Sequence, residues 1–363
     1  MNFQMFTKIA IHVLTMLLIV SCCMGNIATD EISEEHFIPQ GLSGNCNYFC
    51  FYSDSTGFAA SRLTSETAED NTLVVLSRTF DRGRTWKEFG KINGNRVSIK
   101  ISGNKLFLLT KEFIKTGEQK SMSKILSTGL TVFSPQLLAL ESDSEIRAFN
   151  VFNDSTYTYI CEEENGMGIL KKTDDYGKNW VKENLPGIVQ CYPCATASQD
   201  KLFITMAKYE GTRHGIYIKN ILNSNEIFID TNARNIHAAD SLIAVSPGMR
   251  FWKYDGQKFT GVSRYRWNFT GQYNPSFFSY SNGIFICAAS DFYGKKGKHK
   301  CLFFSSNGGR NWQTLVLNDD IMLNNFFLSE NIMTSIPEKY GASVLYQCHS
   351  NNELHIINIR KKK

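Results

Sequence analysis

Three stretches of this chain spell nearly the same sentence: Thr79-Phe80-Asp81-Arg82-Gly83-Arg84-Thr85-Trp86, Thr173-Asp174-Asp175-Tyr176-Gly177-Lys178-Asn179-Trp180 and Ser305-Ser306-Asn307-Gly308-Gly309-Arg310-Asn311-Trp312. All fit (S/T)-x-(D/N)-x-G-x-x-W. A repeat of this kind sets the architecture before any single residue does, because each copy marks one unit that needs its neighbours to bury a core. The chemistry is that of a tight hairpin. The hydroxyl of Thr79, Thr173 or Ser305 and the side chain of Asp81, Asp175 or Asn307 cap backbone groups in the turn. Gly83, Gly177 and Gly309 supply a positive φ. Trp86, Trp180 and Trp312 open the next strand and pack a large ring between sheets. On this reading the three turns are structural.

Their spacing gives a rhythm. Trp86 to Trp180 is two units of about 47 residues, with a degenerate turn at Ser127-Thr128-Gly129-Leu130-Thr131 midway. Further turns fall at Asn223-Ser224-Asn225-Glu226 and Asp255-Gly256-Gln257-Lys258, and Trp312 closes the last marked unit. Six units of about four strands each fill residues 26–363, which predicts an all-β, six-bladed propeller. Composition agrees: aromatics are 13% with 26 Phe, which favours strands. Short β-rich runs such as Lys105–Leu109, Lys201–Thr205 and Gly283–Cys287 follow polar turns. Terminal strands are expected to share one blade.

The N-terminus reads as an export signal: Lys8, the apolar run Ile9–Val20, then Ser21 to Gly25. Residues 1–25 are therefore expected to be a secretory signal peptide. A membrane anchor, or a lipoprotein signal acylated at Cys22, are the alternatives. Eight cysteines follow (Cys46, Cys50, Cys161, Cys191, Cys194, Cys287, Cys301 and Cys348), an even set suited to disulfides outside the cell. Cys287 and Cys301 flank one hairpin and are expected to pair across it. Cys348 is expected to join Cys46 or Cys50 and fasten the ring, and Cys161 to join Cys191 or Cys194. Two sequons, at Asn153 and Asn268, would carry glycans in a eukaryotic host. The seven His are scattered without ligand spacing, so neither a metal nor a cofactor is expected. A net charge of +5 does not by itself argue for nucleic acid.

The box pattern is that of the Asp box, and the chain resembles the sialidase-like Asp-box propeller superfamily. Its overall plan is also similar to that of non-catalytic parasite propellers such as the cysteine-rich protective antigens. The resemblance implies a substrate pocket on the face opposite the boxes, with three arginines gripping a carboxylate. The first clamp arginine would stand in an F-R-I-P segment. Here that segment reads His36-Phe37-Ile38-Pro39, with Phe37 in place of the arginine. The next family segment matches Tyr52–Gly57, which has no arginine in register, although Arg62 is near. Asp70, in Glu69-Asp70-Asn71-Thr72-Leu73, matches the acid/base position, and Tyr340, in Lys339–Leu345, matches the nucleophile. The glutamate that would activate that tyrosine is missing from Ala233–Asp240, and Arg250 lies out of register. A tyrosine without a base is a poor nucleophile near neutral pH.

The loops that join second and third strands belong to the pocket face. They include Arg213, the basic run with Lys295, Lys296 and Lys298, and the acidic Glu162-Glu163-Glu164. The expectation is a secreted, non-catalytic propeller that binds a protein partner or a sialylated or other anionic glycan through Arg62, Arg213, Arg250 and these lysines. It is expected not to be an integral membrane protein. The alternative is an exo-sialidase or trans-sialidase with a rearranged clamp.

Overall fold

The structure is a computed structural model. It describes residues 31–360 apart from 43–45, 64–72, 95, 117, 143, 164–165, 190–194, 199, 209–213, 223–224, 231–235, 241, 246–249, 255–258, 265–272, 292–299, 318–333, 339–340 and 348–352. The described chain is all β, with no helix. It opens with β1 (Glu31–Phe37) and then runs through motifs of four antiparallel strands. The first is β2 (Cys46–Phe51), β3 (Gly57–Leu63), β4 (Leu73–Thr79) and β5 (Lys87–Asn93). The second is β6 (Arg96–Ser102), β7 (Lys105–Thr116), β8 (Glu118–Gly129) and β9 (Gln136–Glu141). The third is β10 (Ile146–Val151), β11 (Tyr157–Glu162), β12 (Met167–Thr173) and β13 (Val181–Ile188). The fourth is β14 (Ala195–Ser198), β15 (Lys201–Lys208), β16 (His214–Asn220) and β17 (Glu226–Asp230). The fifth is β18 (Ile236–Ala239), β19 (Leu242–Val245), β20 (Arg250–Tyr254) and β21 (Phe259–Arg264). The sixth is β22 (Tyr273–Ser281), β23 (Ile284–Asp291), β24 (Lys300–Ser305) and β25 (Gln313–Val316). The chain ends in β26 (Thr334–Pro337), β27 (Gly341–Gln347) and β28 (Leu354–Arg360).

These strands form six hydrogen-bonded sheets, which together build the propeller. Five sheets have four strands, and one has eight. The wide sheet is a double blade: the third and fourth motifs join where Gly187 and Ile188 of β13 pair with Lys208 and Ala207 of β15. All six turns picked out in the sequence lie between the third and fourth strands of the six complete motifs. The closing sheet has no such turn. Its fourth strand is β1, paired along its whole length with β28, so the chain ends share a blade as expected.

One apolar cluster fills each contact between consecutive motifs, and the last seals the closing sheet against the first motif. Alternation along a strand sends side chains to both neighbours. In β3, Phe58 and Ala60 pack toward the second motif, while Ala59 packs toward the closing sheet. Strands buried on both faces therefore lose the alternation with solvent-facing residues, as in Gly341–Gln347 of β27, which is buried throughout, its polar Ser343 and Gln347 included.

The disulfide expectations are corrected. Among the described residues no disulfide is present. Cys287 lies opposite Phe303, and Cys301 opposite Ala289. The two cysteines share a face but sit diagonally, and a diagonal pair in an antiparallel ladder is too far apart for a bridge. Both thiols lie in the apolar cluster between the fifth and sixth motifs. Burial pushes the Cys287 thiol far up. Cys46 is buried, with its Sγ donating to the Ala60 carbonyl (3.5 Å) and accepting from Ser61 Oγ (3.5 Å). Cys50 and Cys161 pack in the contacts on either side of the second motif. Their expected partners, Cys348, Cys191 and Cys194, lie outside the described residues.

Candidate functional site

The three boxes are wired alike. In the first, Thr79 Oγ1 donates to Asp81 Oδ1 (2.8 Å) and accepts from the Gly83 N–H (3.0 Å). Asp81 Oδ1 accepts from the Thr85 N–H (2.8 Å), and Trp86 Nε1 donates to the Gly83 carbonyl (2.7 Å). In the second, Thr173 Oγ1 donates to Asp175 Oδ1 (2.7 Å) and accepts from Gly177 N–H (3.2 Å). Asn179 N–H reaches Asp175 Oδ1 (2.9 Å), and Trp180 Nε1 reaches the Gly177 carbonyl (3.1 Å). In the third, Ser305, Asn307, Gly309, Asn311 and Trp312 repeat the pattern at 2.9–3.0 Å. The backbone bends left-handed at two successive residues, not at the glycine alone: Arg82 and Gly83 (φ 62 and 89), Tyr176 and Gly177 (65 and 85), Gly308 and Gly309 (73 and 80). Hydrogen bonds from the Asn179 backbone and Thr173 hold the Asp175 carboxyl at about 2. Burial works against Asp81, but bonds from Thr85 and Thr79 still bring it below its usual value.

The turns also stitch blades together. Arg78, just before the first box, donates to the Leu130 carbonyl in the degenerate turn of the second motif (2.8 Å). Lys172, at the matching position before the second box, donates to the Ile221 carbonyl of the fourth motif (2.7 Å). Box 1 does more. Arg82 Nη2 reaches Glu338 Oε1 (2.6 Å), Asn358 Oδ1 (2.8 Å) and Ser343 Oγ (3.1 Å), all in or beside the closing sheet. Glu338 is 9% exposed, Asn358 4% and Ser343 0%. Asn358 in turn donates to Glu35 of β1 (3.1 Å), and Glu35 takes a second bond from Arg84 (2.6 Å).

On the opposite face, between the second and third motifs, four charges form a chain. Lys111 Nζ lies 2.9 Å from Glu145, Glu145 lies 3.0 Å from Arg147, and Arg147 grips Glu162 through Nε (3.0 Å) and Nη2 (2.8 Å). Arg147 has the forked guanidinium that grips a carboxylate, and its fork is filled by the chain's own Glu162. The acidic loop is likewise engaged, with Glu163 3.1 Å from Lys182.

Phe37 ends β1, the outermost strand of the closing sheet, so the matched clamp position stands at the rim and not at the axis. Tyr52–Thr56 is the turn between β2 and β3, and the Ser55 carbonyl accepts from the Arg82 backbone N–H of box 1 (3.1 Å). That segment is on the box face. Arg62 is exposed near the end of β3 and Arg250 opens β20, both at strand ends on the opposite face, in the first and fifth motifs. Asp70, Arg213, Lys295, Lys296, Lys298 and Tyr340 lie outside the described residues. The residues flanking Tyr340 are on the box face: Glu338 binds Arg82, and the Gly341 carbonyl accepts from Asn282 (3.0 Å). Sequence reasoning missed Arg82, Arg147 and Lys100, since nothing in their local sequence names partners far along the chain.

Lys100 is on β6, a first strand at the ring axis. Its Nζ donates to the Phe149 carbonyl of β10, in the next motif. Water reaches the side chain, yet the surrounding protein desolvates the amine and lowers it to about 8, with Cys50 acting against that shift. Burial in turn raises the Cys50 thiol to about 11.

The fold thus defines a β-propeller of four-stranded antiparallel blades. Among the described residues no helix is long and apolar enough to cross a membrane, and no group of side chains is arranged to hold a metal ion. No protein-family model matches the chain, and no curated protein matches it. Solved structures match the fold. The β-propeller domain of the trilobed protease from Pyrococcus furiosus is 9% identical, with a TM-score of 0.54 over 86% of this chain and 95% of that one. An uncharacterized protein from Listeria monocytogenes is 12% identical, with a TM-score of 0.53 over 88% and 96%. An α-L-arabinanase from Penicillium chrysogenum, solved with arabinobiose, is 10% identical, with a TM-score of 0.50 over 92% and 98%. At such identities the likeness is one of fold alone.

Proposed function

We propose that this is a secreted, sialidase-like Asp-box propeller that binds a protein partner or an anionic glycan without turning it over. The observation that carries the reading is the occupied grip of Arg147 by Glu162, together with the place of Phe37 on the outermost strand. A sialidase needs guanidinium forks open at the axis, because only a forked donor holds a carboxylate in a fixed plane. The export signal and the sequons support a place outside the cell.

The second reading is an exo-sialidase or trans-sialidase whose clamp is rebuilt from Arg62 and Arg250. It is favoured by their positions at strand ends on the face opposite the boxes. A fluorogenic sialoside assay on purified protein separates the two. The expected result is no turnover above buffer. Turnover that disappears in Tyr340→Phe would establish the enzyme and end the binding-only reading. Capture of a surface protein or a sialylated glycan by inactive protein supports the first reading.

A further inference from the structure

The turn between β10 and β11 holds Asn153-Asp154-Ser155, one of the chain's two sequons. The other, at Asn268, lies outside the described residues. Asn153 Oδ1 accepts three hydrogen bonds from within the turn: the Ser155 N–H (2.9 Å), the Thr156 N–H (2.8 Å) and the Ser155 hydroxyl (3.2 Å). Three donors on one terminal atom identify it as the oxygen, because the amide nitrogen accepts none. The Nδ2 end is therefore turned away from the turn. Asn153 is exposed, and among the described residues its Nδ2 has no hydrogen-bond partner.

The first motif supplies a natural comparison. Its corresponding turn, Tyr52-Ser53-Asp54-Ser55-Thr56, is wired in the same way. Tyr52 N–H donates to the Thr56 carbonyl (2.8 Å), as Phe152 N–H does to Thr156 (3.0 Å). The Ser55 carbonyl accepts from box 1 at Arg82 (3.1 Å), and the Ser155 carbonyl from box 2 at Tyr176 (3.1 Å), so both turns stand on the box face. In the first motif the cap on the Thr56 N–H is the Ser53 hydroxyl (3.1 Å). The turn thus closes without an amide, and the Nδ2 of Asn153 is surplus to it. The residues after Asn153 are tied down as well. The Tyr157 hydroxyl donates to the Asp154 carbonyl. Asp154 Oδ1 lies against Gly103 of the second motif, where a Cβ would stand 2.6 Å from it. The capping bonds span only two or three residues, so the turn can close before the blades assemble.

We propose that Asn153 is an N-glycosylation site whose sugar stands on the box face, beside the seam between the second and third motifs. The inference rests on the secreted reading of the proposed function, since the transfer takes place in the secretory lumen. The donor is a lipid pyrophosphate-linked oligosaccharide. A bond forms between Asn153 Nδ2 and the sugar C1, and the bond from C1 to the pyrophosphate oxygen breaks. The lipid pyrophosphate leaves with that electron pair, and the amide nitrogen gives up one proton. The acceptor motif needs a hydroxyl two residues on, and the Ser155 hydroxyl is already bonded to the Asn153 amide. The sugar stands next to Tyr176, the exposed residue of box 2. It leaves the face opposite the boxes clear for a partner.

The test expresses the full chain with its own leader in a eukaryotic secretory cell. N-glycans are released from the secreted protein by peptide-N-glycosidase in heavy-oxygen water, which converts each occupied asparagine to a labelled aspartate, and the peptides are weighed. The expected result is label at Asn153, lost in Ser155→Ala and kept in Ser155→Thr. Asn153→Ser copies the turn of the first motif, so it should be secreted folded and without that glycan. Secreted protein with no label at Asn153 overturns the site and spares the secreted reading. Label at Asn268 alone does the same, since it shows that the transferase met the chain and passed Asn153 over. A chain retained in the cytosol counts against the secreted reading. Residues 1–25 are then replaced by a leader of the host cell, and label at Asn153 upholds the site while its absence overturns it. The label is read on wild-type protein, so misfolding of a variant leaves the test intact.

Discussion

The first and second boxes share the same core of turn hydrogen bonds, yet they do different work. In both, a hydroxyl bonds the aspartate and the glycine N–H, and the indole bonds the glycine carbonyl. The variable residue before the glycine is held left-handed in each. In the first box that residue is Arg82, and it spans to the closing sheet. In the second it is Tyr176, 51% exposed. The turn fixes where this side chain starts, and the residue type decides whether the turn becomes a latch or an exposed tip whose ring, among the described residues, meets only the Lys105 ammonium (5.3 Å). Box 1 sits where the chain's two ends meet, so an ion pair there resists opening of the ring.

The sharpest way to break the comparison is at the indoles. Trp86 is 4% exposed in the contact between the closing sheet and the first motif, and Trp86→Ala should cost about 4 kcal/mol in urea denaturation. Trp180 is less buried, so its change should cost measurably less. Equal losses would show that the ring junction is no more dependent on its box than the third motif is. Next comes Arg82→Ala. It leaves Glu338 buried without its cation and should cost about 3 kcal/mol, whereas Tyr176→Ala should stay within about 0.5 kcal/mol. A small effect at Arg82 would remove the latch from the account.

Replacing the capping hydroxyl, as Thr79→Val or Thr173→Val, strips an acceptor from a glycine N–H and should cost about 1 kcal/mol in either box. Here similarity is the expected outcome, since the local wiring is shared. The smallest effect is in pH. Asp175 is held at about 2 against an ordinary 3.8, so its contribution is fully present above 3.8 and is lost as pH falls through about 2. The melting-temperature gap between wild type and Asp175→Asn should therefore narrow between pH 4 and pH 2. A gap that does not change would mean that the carboxylate's charge adds nothing to the turn.

Much of the ring was legible in the residues. The three full boxes and three degenerate turns each mark a junction between third and fourth strands, because hairpin chemistry is local and written within eight residues. The sharing of one blade by the two chain ends was also expected, and β1 pairs with β28. The degenerate turn shows the limit of pattern reading. Its Thr128 still accepts from a backbone N–H, that of Ser134 (2.8 Å). Phe133 supplies the ring that packs on Phe89 (5.6 Å), without a box to announce it. The edge-to-edge joining of the third and fourth motifs was not legible, since it rests on two residue pairs. Nor was the register that keeps Cys287 from facing Cys301. Seeing both cysteines in one hairpin was not enough, because a shift of two residues decides whether they can bond.

The sequence by itself determined that this chain is a ring of antiparallel sheets, where its outer turns fall and which face they mark. All of these follow from interactions between residues close along the chain. Only the tertiary structure decided what the charges do. Arg82 meets Glu338, and Arg147 closes on Glu162, while Lys100 finds a carbonyl in the next motif and no carboxylate. The reason is physical: a charge is stabilised by whatever surrounds it in space, and round a closed ring that partner lies on another blade.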